Sequence, residues 1–152
     1  NAREFDFKYN QLSGPIPTEF GNLQNIKILE LNNNNMTGPL PTQLGRLTKL
    51  KQLNLAENDL TSSIPTEIGL MKSLSKINLL GNSFKGRIPS EIGLMTNLTE
   101  IWLESNDLSG AIPVEVASIM NLQLLELTNN SMTGPMPTQL GELTKLEHLH
   151  LG

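Results

Sequence analysis

A unit of 24 residues repeats along the whole chain of 152 residues without insertion or deletion. One asparagine recurs at this interval, at Asn10, Asn34, Asn58, Asn82, Asn106 and Asn130. One proline recurs in step with it, at Pro17, Pro41, Pro65, Pro89, Pro113 and Pro137. A fixed period of this size indicates a stack of similar structural units, each in contact with its neighbours. The sequence therefore predicts a single array over residues 1–152, with about six repeats and partial units at both ends.

Within each unit, two apolar residues separated by one position predict a short strand with one buried face. Seven such pairs occur, at Phe5/Phe7, Leu29/Leu31, Leu53/Leu55, Ile77/Leu79, Ile101/Leu103, Leu125/Leu127 and Leu149/Leu151. Because every unit returns by the same route, the strands run in one direction and predict a parallel sheet. The repeated asparagine follows each strand, where its amide can hydrogen-bond backbone groups of its own and the next turn.

The remainder of the unit is typified by Leu12-Ser13-Gly14-Pro15-Ile16-Pro17, which predicts an extended stretch with a bend and a second edge of strand pairing. In one unit Ser62 and Ser63 replace the glycine and its neighbour, and we expect that unit to keep its shape with a local adjustment. A hydroxyl residue follows most of the repeated prolines, at Thr18, Thr42, Thr66, Ser90 and Thr138. These hydroxyls are predicted N-caps of single 3₁₀ or helical turns.

The Leu-x-Gly-x-Ile-Pro run between the strand asparagine and the outer turn resembles the plant-type leucine-rich repeat, over essentially the whole chain. The resemblance implies an α/β fold: a right-handed solenoid with a concave parallel β-sheet and 3₁₀ or short helical turns on its outer side. It also implies ligand recognition on the sheet, as in receptor-like kinase ectodomains and secreted inhibitors of cell-wall-degrading enzymes. The cysteine-flanked caps typical of such ectodomains are absent, which predicts the interior of a longer array or end-to-end self-association.

Composition excludes several classes of function. A net charge of −4 argues against nucleic acid as a partner, and no apolar run reaches the roughly 18 residues that a membrane span needs. The absence of cysteine excludes disulfides, thiol catalysis and thiolate metal sites. The sequence contains neither a nucleophile elbow nor a P-loop. We therefore expect a non-enzymatic protein without a cofactor, which interacts with neither nucleic acid nor the interior of a membrane.

The residues that face outward from the strands differ between units, because the repeat requires no particular residue there. We therefore expect the binding site among these positions. Trp102, the only tryptophan, is predicted to lie in an exposed column between Asn78 and Glu126. An exposed aromatic residue with aliphatic neighbours and a charged rim is typical of a binding hot spot. The glutamates favour a basic protein or peptide ligand. The predicted site comprises Asn78, Leu80, Glu100, Trp102, Glu104, Leu124, Glu126, His148 and His150. The alternative is that Trp102 lies flat over its neighbours and binds no ligand.

Two imidazoles and a carboxylate at the end of this column raise the question of a metal site. His148 and His150 alternate on one strand face, and Glu126 is adjacent to His150. These residue types can ligate a metal. Ordinary exposed polar residues near the end of the chain account for the pattern more simply, so no metal site is predicted.

Two other functions remain open at this level. The first is a structural or adhesive array that assembles through its ends. The second is ice binding, because hydroxyl residues form two columns: the post-proline series, and Ser13, Thr37, Thr61, Ser109 and Thr133. Lys85, Arg87 and Val114 interrupt the pattern. In addition, helix capping would explain the post-proline series without ice.

Asn-x-Ser/Thr sequons occur at Asn35, Asn97 and Asn129, which are candidate N-glycosylation sites. They are compatible with secretion but do not establish it, because a chain rich in asparagine produces such sequons by chance. The extracellular or cell-surface location that we expect therefore rests on the family resemblance.

Overall fold

The computed structural model describes residues 2–152, in which each 24-residue unit forms one coil of a solenoid. A seven-stranded parallel sheet lines the concave side, and its strands are neighbours in chain order. They are Glu4–Asp6, Ile28–Glu30, Gln52–Asn54, Lys76–Asn78, Glu100–Trp102, Leu124–Glu126 and His148–His150. The predicted α/β solenoid with a concave parallel sheet is confirmed.

The strands pair between equivalent positions of adjacent coils, so that Leu29 lies opposite Leu53. Each regular strand ends one residue before the second apolar residue of its predicted pair. Pairing nevertheless continues there, since the Leu31 N–H donates to the Asn54 carbonyl at 2.9 Å. Leu29 and Leu31 are both fully buried, so the alternating pattern identified the core-facing side of the strand correctly.

A second parallel sheet and a row of short helices complete each coil. The six strands of the second sheet are Ser13–Gly14, Asn35–Pro39, Asp59–Ser62, Ser83–Gly86, Asp107–Gly110 and Ser131–Met132. The helices are Thr18–Asn22, Thr42–Arg46, Thr66–Leu70, Ser90–Leu94, Val114–Ser118 and Thr138–Glu142. Every helix in residues 2–152 is of the 3₁₀ type. The predicted second edge of pairing and the predicted 3₁₀ turns are therefore confirmed.

The predicted N-cap role of the hydroxyl residues is wrong. The first helix begins at Thr18 itself, and Pro17 occupies the N-cap position with φ −62° and ψ 133°. Proline fits this position because its ring fixes φ while the backbone stays extended. The Thr18 hydroxyl donates to the Glu19 carboxylate instead, at 3.3 Å. Capping therefore does not explain the hydroxyl column, although Val114 still interrupts it.

Glycines allow the 3₁₀ helices of successive coils to pack closely. A Cβ on Gly45 would lie 2.5 Å from the Glu67 carbonyl oxygen of the next coil. Gly21, Gly69 and Gly93 make equivalent approaches. Any larger residue would push neighbouring helices apart on the outer side. The repeated glycine thus helps to set how tightly the outer side of the solenoid is stacked.

The repeated asparagine joins each coil to the one before it. The Asn58 amide donates to the Leu55 carbonyl of its own coil at 3.1 Å and to the Leu31 carbonyl of the preceding coil at 3.0 Å. Its Oδ1 accepts the Met36 N–H of the preceding coil at 3.0 Å. The same pattern recurs at Asn34, Asn82, Asn106 and Asn130. The predicted hydrogen-bonding role is confirmed, but the second coil involved is the preceding one rather than the next.

Replacing Asn58 with Ala should lower the free energy of unfolding by about 3 kcal/mol, because it leaves buried backbone groups of two coils without partners. Asn10→Ala is the matched control, since Asn10 is exposed and bonds only to carbonyls of its own coil. Urea unfolding followed by circular dichroism measures both variants. Similar losses for the two would contradict a role in joining coils.

Ser62 occupies a backbone position that glycine fills in the other units. Its φ is 73°, whereas Gly38 and Gly86 have φ values of 79° and 76°. The expectation that this unit keeps its shape is therefore confirmed. The left-handed conformation is strained for a residue with a Cβ, so the serine lowers the stability of its coil.

Ser62→Gly should raise the free energy of unfolding by about 0.5–1 kcal/mol, because strain relief exceeds the added entropy of the unfolded chain. Ser63→Gly should not stabilise the protein, since Ser63 has no positive φ to relieve. Thermal unfolding of the two variants separates these outcomes. A loss of stability in Ser62→Gly would show that the strain is negligible.

Candidate functional site

Trp102 lies where the strand pattern predicted it. It ends the fifth strand of the concave sheet, and its register partners on the adjacent strands are Asn78 and Glu126. The side chain is half-buried rather than sealed in the core. Its Nε1–H donates to the Glu100 carboxylate at 3.3 Å, which holds the indole along its own strand. A rigid, partly accessible aromatic surface is therefore available on the sheet.

A shallow depression of about 260 Å³ opens beside this indole. It is lined by Gln52, Leu53, Asn54, Lys76, Asn78, Glu100 and Trp102. The Oδ1 of Asn78 accepts the Leu80 N–H at 3.0 Å, and the Asn78 NH₂ group has no partner within residues 2–152. The depression thus combines an aromatic wall with a free amide donor.

Gln52, Asn54 and Lys76 belong to this depression but not to the predicted site. Their positions were available in the sequence, because they occupy the same outward columns one or two strands before Trp102. The Lys76 ammonium lies 2.7 Å from the Glu100 carboxylate. Glu100 therefore does not present an unpaired negative charge, and it gives little support to a basic ligand.

Glu104 presents the less satisfied carboxylate. It is half-buried, and its Oε2 is shielded from solvent with no hydrogen-bond partner in the described part of the chain. Burial raises the pKa of Glu104 above its usual range. Its own backbone N–H partly offsets this, while the charges of Glu126 and Glu57 raise the pKa further. The ionised form of Glu104 is therefore disfavoured both by desolvation and by repulsion from neighbouring carboxylates.

The expectation that Glu126 is solvent-exposed is wrong: its relative accessibility is only 8%. The residue lies between Trp102 and His150 on the adjacent strands, and it accepts hydrogen bonds from Thr128 and from the His150 ring. Burial raises its pKa, but the bonds from Thr128 and His150 outweigh this, and the pKa of Glu126 falls below its usual value. Glu126 is therefore engaged in hydrogen bonds within the sheet surface, and little of its side chain is accessible to a ligand.

Burial also interrupts the predicted exposed columns elsewhere. Glu30 has a relative accessibility of 6% because the side-chain amides of Gln52 and Asn54 donate to its carboxylate. In the adjacent column, Asn32 and Ala56 are buried as well. The outward positions thus form local polar clusters rather than a uniformly open surface.

The remaining predicted site residues fall into two groups. Leu124 is half-buried on the strand that follows Trp102, and Leu80 is half-buried two residues beyond the end of the strand that precedes it. His148 and His150 are exposed on the last strand, with ring centroids 6.1 Å apart. Residues 2–152 contain no group of three His, Cys, Asp or Glu side chains arranged to hold a metal ion.

The three sequons differ in their surroundings. Asn35, Asn97 and Asn129 are all exposed. The Asn97 side-chain amide donates to the Lys72 carbonyl of the preceding coil at 2.8 Å. One N–H of the Asn97 amide is therefore already engaged, whereas the Asn35 and Asn129 side chains make no hydrogen bond within residues 2–152.

The fold and the site define a repeat protein of the solenoid class with an open recognition surface. The chain belongs to the leucine-rich repeat family: the family model described as Leucine Rich Repeat matches residues 1–23, 25–47, 49–71 and 121–143, together more than half of the chain. No helix among the described residues is long and apolar enough to cross a membrane. A comparison with proteins of curated function gives no match.

Solved structures of other leucine-rich repeat proteins are similar to this chain in both sequence and fold. The plant peptide hormone receptor RGFR1, in complex with RGF2, is 38% identical with a TM-score of 0.94, over 96% of this chain and 23% of the receptor chain. The Arabidopsis receptor kinase HAESA, in complex with the peptide hormone IDA and the co-receptor SERK1, is 36% identical with a TM-score of 0.95, over 99% and 26%. A leucine-rich repeat protein of Leptospira interrogans is 33% identical with a TM-score of 0.86, over 99% and 37%. The chain thus spans about a quarter of the two plant receptor chains.

Glu104→Gln should raise the melting temperature at pH 7, because it removes a half-buried carboxylate whose charge is disfavoured. The folded-state pKa is raised, so the penalty exists only where the carboxyl ionises. The gain should therefore disappear below about pH 4, where Glu104 is protonated in both states. Glu100→Gln is the control, since it removes the partner of Lys76 and should give no gain. A stabilisation of Glu104→Gln that does not change with pH would exclude the electrostatic cause.

Proposed function

We propose that this chain is a non-enzymatic recognition module that binds a peptide or protein segment on its concave sheet around Trp102. The similarity to RGFR1 and HAESA supports this proposal, because both structures are complexes with peptide hormones. The open sheet supports it as well, since an exposed, shallow surface suits recognition better than reactions that must exclude water.

The depression beside Trp102 is the observation that carries the proposal. The middle strands of the sheet are already hydrogen-bonded on both sides, so a ligand cannot add as a further strand there. It must instead lie across the outward side chains. In the depression the indole of Trp102 offers apolar contact, and the unpaired NH₂ group of Asn78 can donate to a ligand carbonyl. The half-buried Leu80 and Leu124 lie outside the depression and could extend the apolar contact.

A basic group on the ligand is favoured at Glu104, not at Glu100. Glu100 already pairs with Lys76 and accepts from the indole, whereas no ion pair among residues 2–152 involves the half-buried Glu104. A Lys or Arg side chain of the ligand would pair with Glu104 while its apolar neighbours contact Trp102. Such a contact weakens as the pH falls, because Glu104, whose pKa burial raises, becomes neutral.

The same comparisons support a location outside the cell or at its surface. The plant neighbours are receptors, and two sequons of this chain are well exposed. We also infer that the chain forms a single array, with no domain boundary within residues 2–152. The strands of the concave sheet follow one another without a gap, which supports this inference.

Trp102→Ala should weaken the binding of peptides selected by the wild-type protein from a phage-displayed library of random dodecapeptides. The expected loss is about 30-fold, the usual effect of truncating a central aromatic hot spot. Fluorescence anisotropy of the labelled peptides measures the affinity. The single tryptophan also allows direct observation of its emission on binding.

Leu94→Ala is the matched control. Leu94 is a large apolar residue with 51% accessibility on a 3₁₀ helix of the outer side, away from the concave sheet. Its removal should leave the affinity unchanged within about twofold. Selected peptides that bind Trp102→Ala as tightly as wild type would show that the ligand is recognised elsewhere.

A further inference from the structure

Charge is distributed unevenly along the solenoid. Residues 1–87 carry ten of the eleven Lys and Arg but only seven of the fifteen Asp and Glu, which gives this part a formal charge of +3. Residues 88–152 carry the other eight acidic residues and Lys145, which gives −7. The acidic net charge of the whole chain therefore conceals a basic region in its first coils.

The basic region is concentrated where the chain returns from the 3₁₀ helices to the concave sheet. Arg3, Lys27 and Lys51 occupy equivalent positions of three successive coils, and Lys49 lies two residues before Lys51. We call these four residues the basic flank. The connecting segments 22–28 and 46–52 contain no acidic residue.

Backbone hydrogen bonds fix the positions of three of these residues. The Lys27 N–H donates to the Arg3 carbonyl at 2.7 Å, and the Lys51 N–H donates to the Lys27 carbonyl at 2.8 Å. The three side chains therefore start from adjacent coils, which are separated by roughly the spacing of β-strands, about 4.8 Å. Cationic side chains on three adjacent coils raise the local density of positive charge, which favours an anionic partner.

No ion pair in the described part of the chain neutralises this positive charge. The ion pairs among residues 2–152 are Lys8 with Asp6, Lys76 with Glu100, and His150 with Glu126, and none involves the basic flank. The Lys49 ammonium instead donates to the Asn25 side-chain oxygen at 2.8 Å. This bond holds Lys49 over a shallow depression of about 250 Å³ that is lined by Arg3, Asn25, Lys27 and Lys49.

We propose that the basic flank is a second interaction surface, separate from the concave site, and that it binds a short acidic peptide segment of a partner protein. Carboxylates placed over Arg3, Lys27 and Lys51 would be attracted to cationic side chains that form no ion pair within residues 2–152. Three coils extend over about 10 Å between the first and the third, which is the length of three or four residues of extended peptide.

The surroundings of the flank favour a short acidic peptide over a long polyanion. A nucleic acid or acidic polysaccharide that continued past Lys51 towards the C-terminus would approach the part of the chain with a charge of −7. The depression contains no aromatic side chain on which a base or a sugar ring could stack. A segment with a few carboxylates fits the extent of the flank without meeting the acidic coils.

The test uses a fluorescein-labelled Asp-Glu-Asp-Glu peptide and anisotropy at about 50 mM salt, where surface charges are weakly screened. Lys49→Glu should weaken its binding about tenfold or more, because it places a negative charge within the flank. Lys145→Glu is the matched control. Lys145 occupies the equivalent position of a later coil and makes the same bond, to Asn121 at 2.7 Å, but its neighbours are Glu142 and Glu147.

The proposal predicts that Lys145→Glu and Trp102→Ala bind the acidic peptide as wild type does, and that added salt weakens binding. Circular dichroism verifies that each variant is folded. Absence of wild-type binding at low salt would overturn the proposal, as would equal losses in Lys49→Glu and Lys145→Glu. Tighter binding of polygalacturonate or of single-stranded RNA than of the acidic peptide would overturn the assignment of a peptide partner.

Discussion

Hydrogen bonds from the inward asparagine determine how each coil is placed on the coil before it. The Asn58 side chain donates to the Leu55 carbonyl of its own coil and to the Leu31 carbonyl of the preceding coil. Its Oδ1 accepts a hydrogen bond from the Met36 N–H of the preceding coil. The two carbonyls directly follow strands of the concave sheet, and the N–H belongs to a strand of the second sheet. The asparagine side chain gives all three buried groups a hydrogen-bond partner. Because the side chain that satisfies them recurs every 24 residues, the register of both sheets is repeated as well.

Fixed stacking has a consequence for recognition. Because the coils are stacked in register, outward side chains of adjacent coils lie about one strand spacing apart. Each of them can therefore interact with its neighbours in the same column, whether or not a ligand is bound. Glu30 is covered by Gln52 and Asn54, while Glu126 is bound by Thr128 and His150. Where neighbours satisfy one another, the surface is structural. Where they do not, as at the Asn78 amide, at Glu104 and on the basic flank, the surface is available to a partner.

The fold could be predicted almost completely from the sequence, because the same pattern of apolar and turn residues recurs in every unit. The alternation at Leu29 and Leu31 identified the buried side of a strand, and the register of Trp102 between Asn78 and Glu126 followed from the period alone. The capping role of Thr18 was predicted wrongly, since proline and threonine are both compatible with a helix start and only the backbone angles decide between them. Assembly through the ends and ice binding stay predictions.

By itself, the sequence determined the period, the parallel sheet, the core and the set of outward positions, because these depend on spacing that repeats in every coil. Only the tertiary structure decided which outward residues are free. Whether a carboxylate is exposed, paired or isolated depends on the side chains that the adjacent coils place beside it, and each such neighbour differs from coil to coil. For this reason Glu100, Glu104 and Glu126 look equivalent in the sequence, while in the structure the first is paired with Lys76, the second is unpartnered and the third is buried.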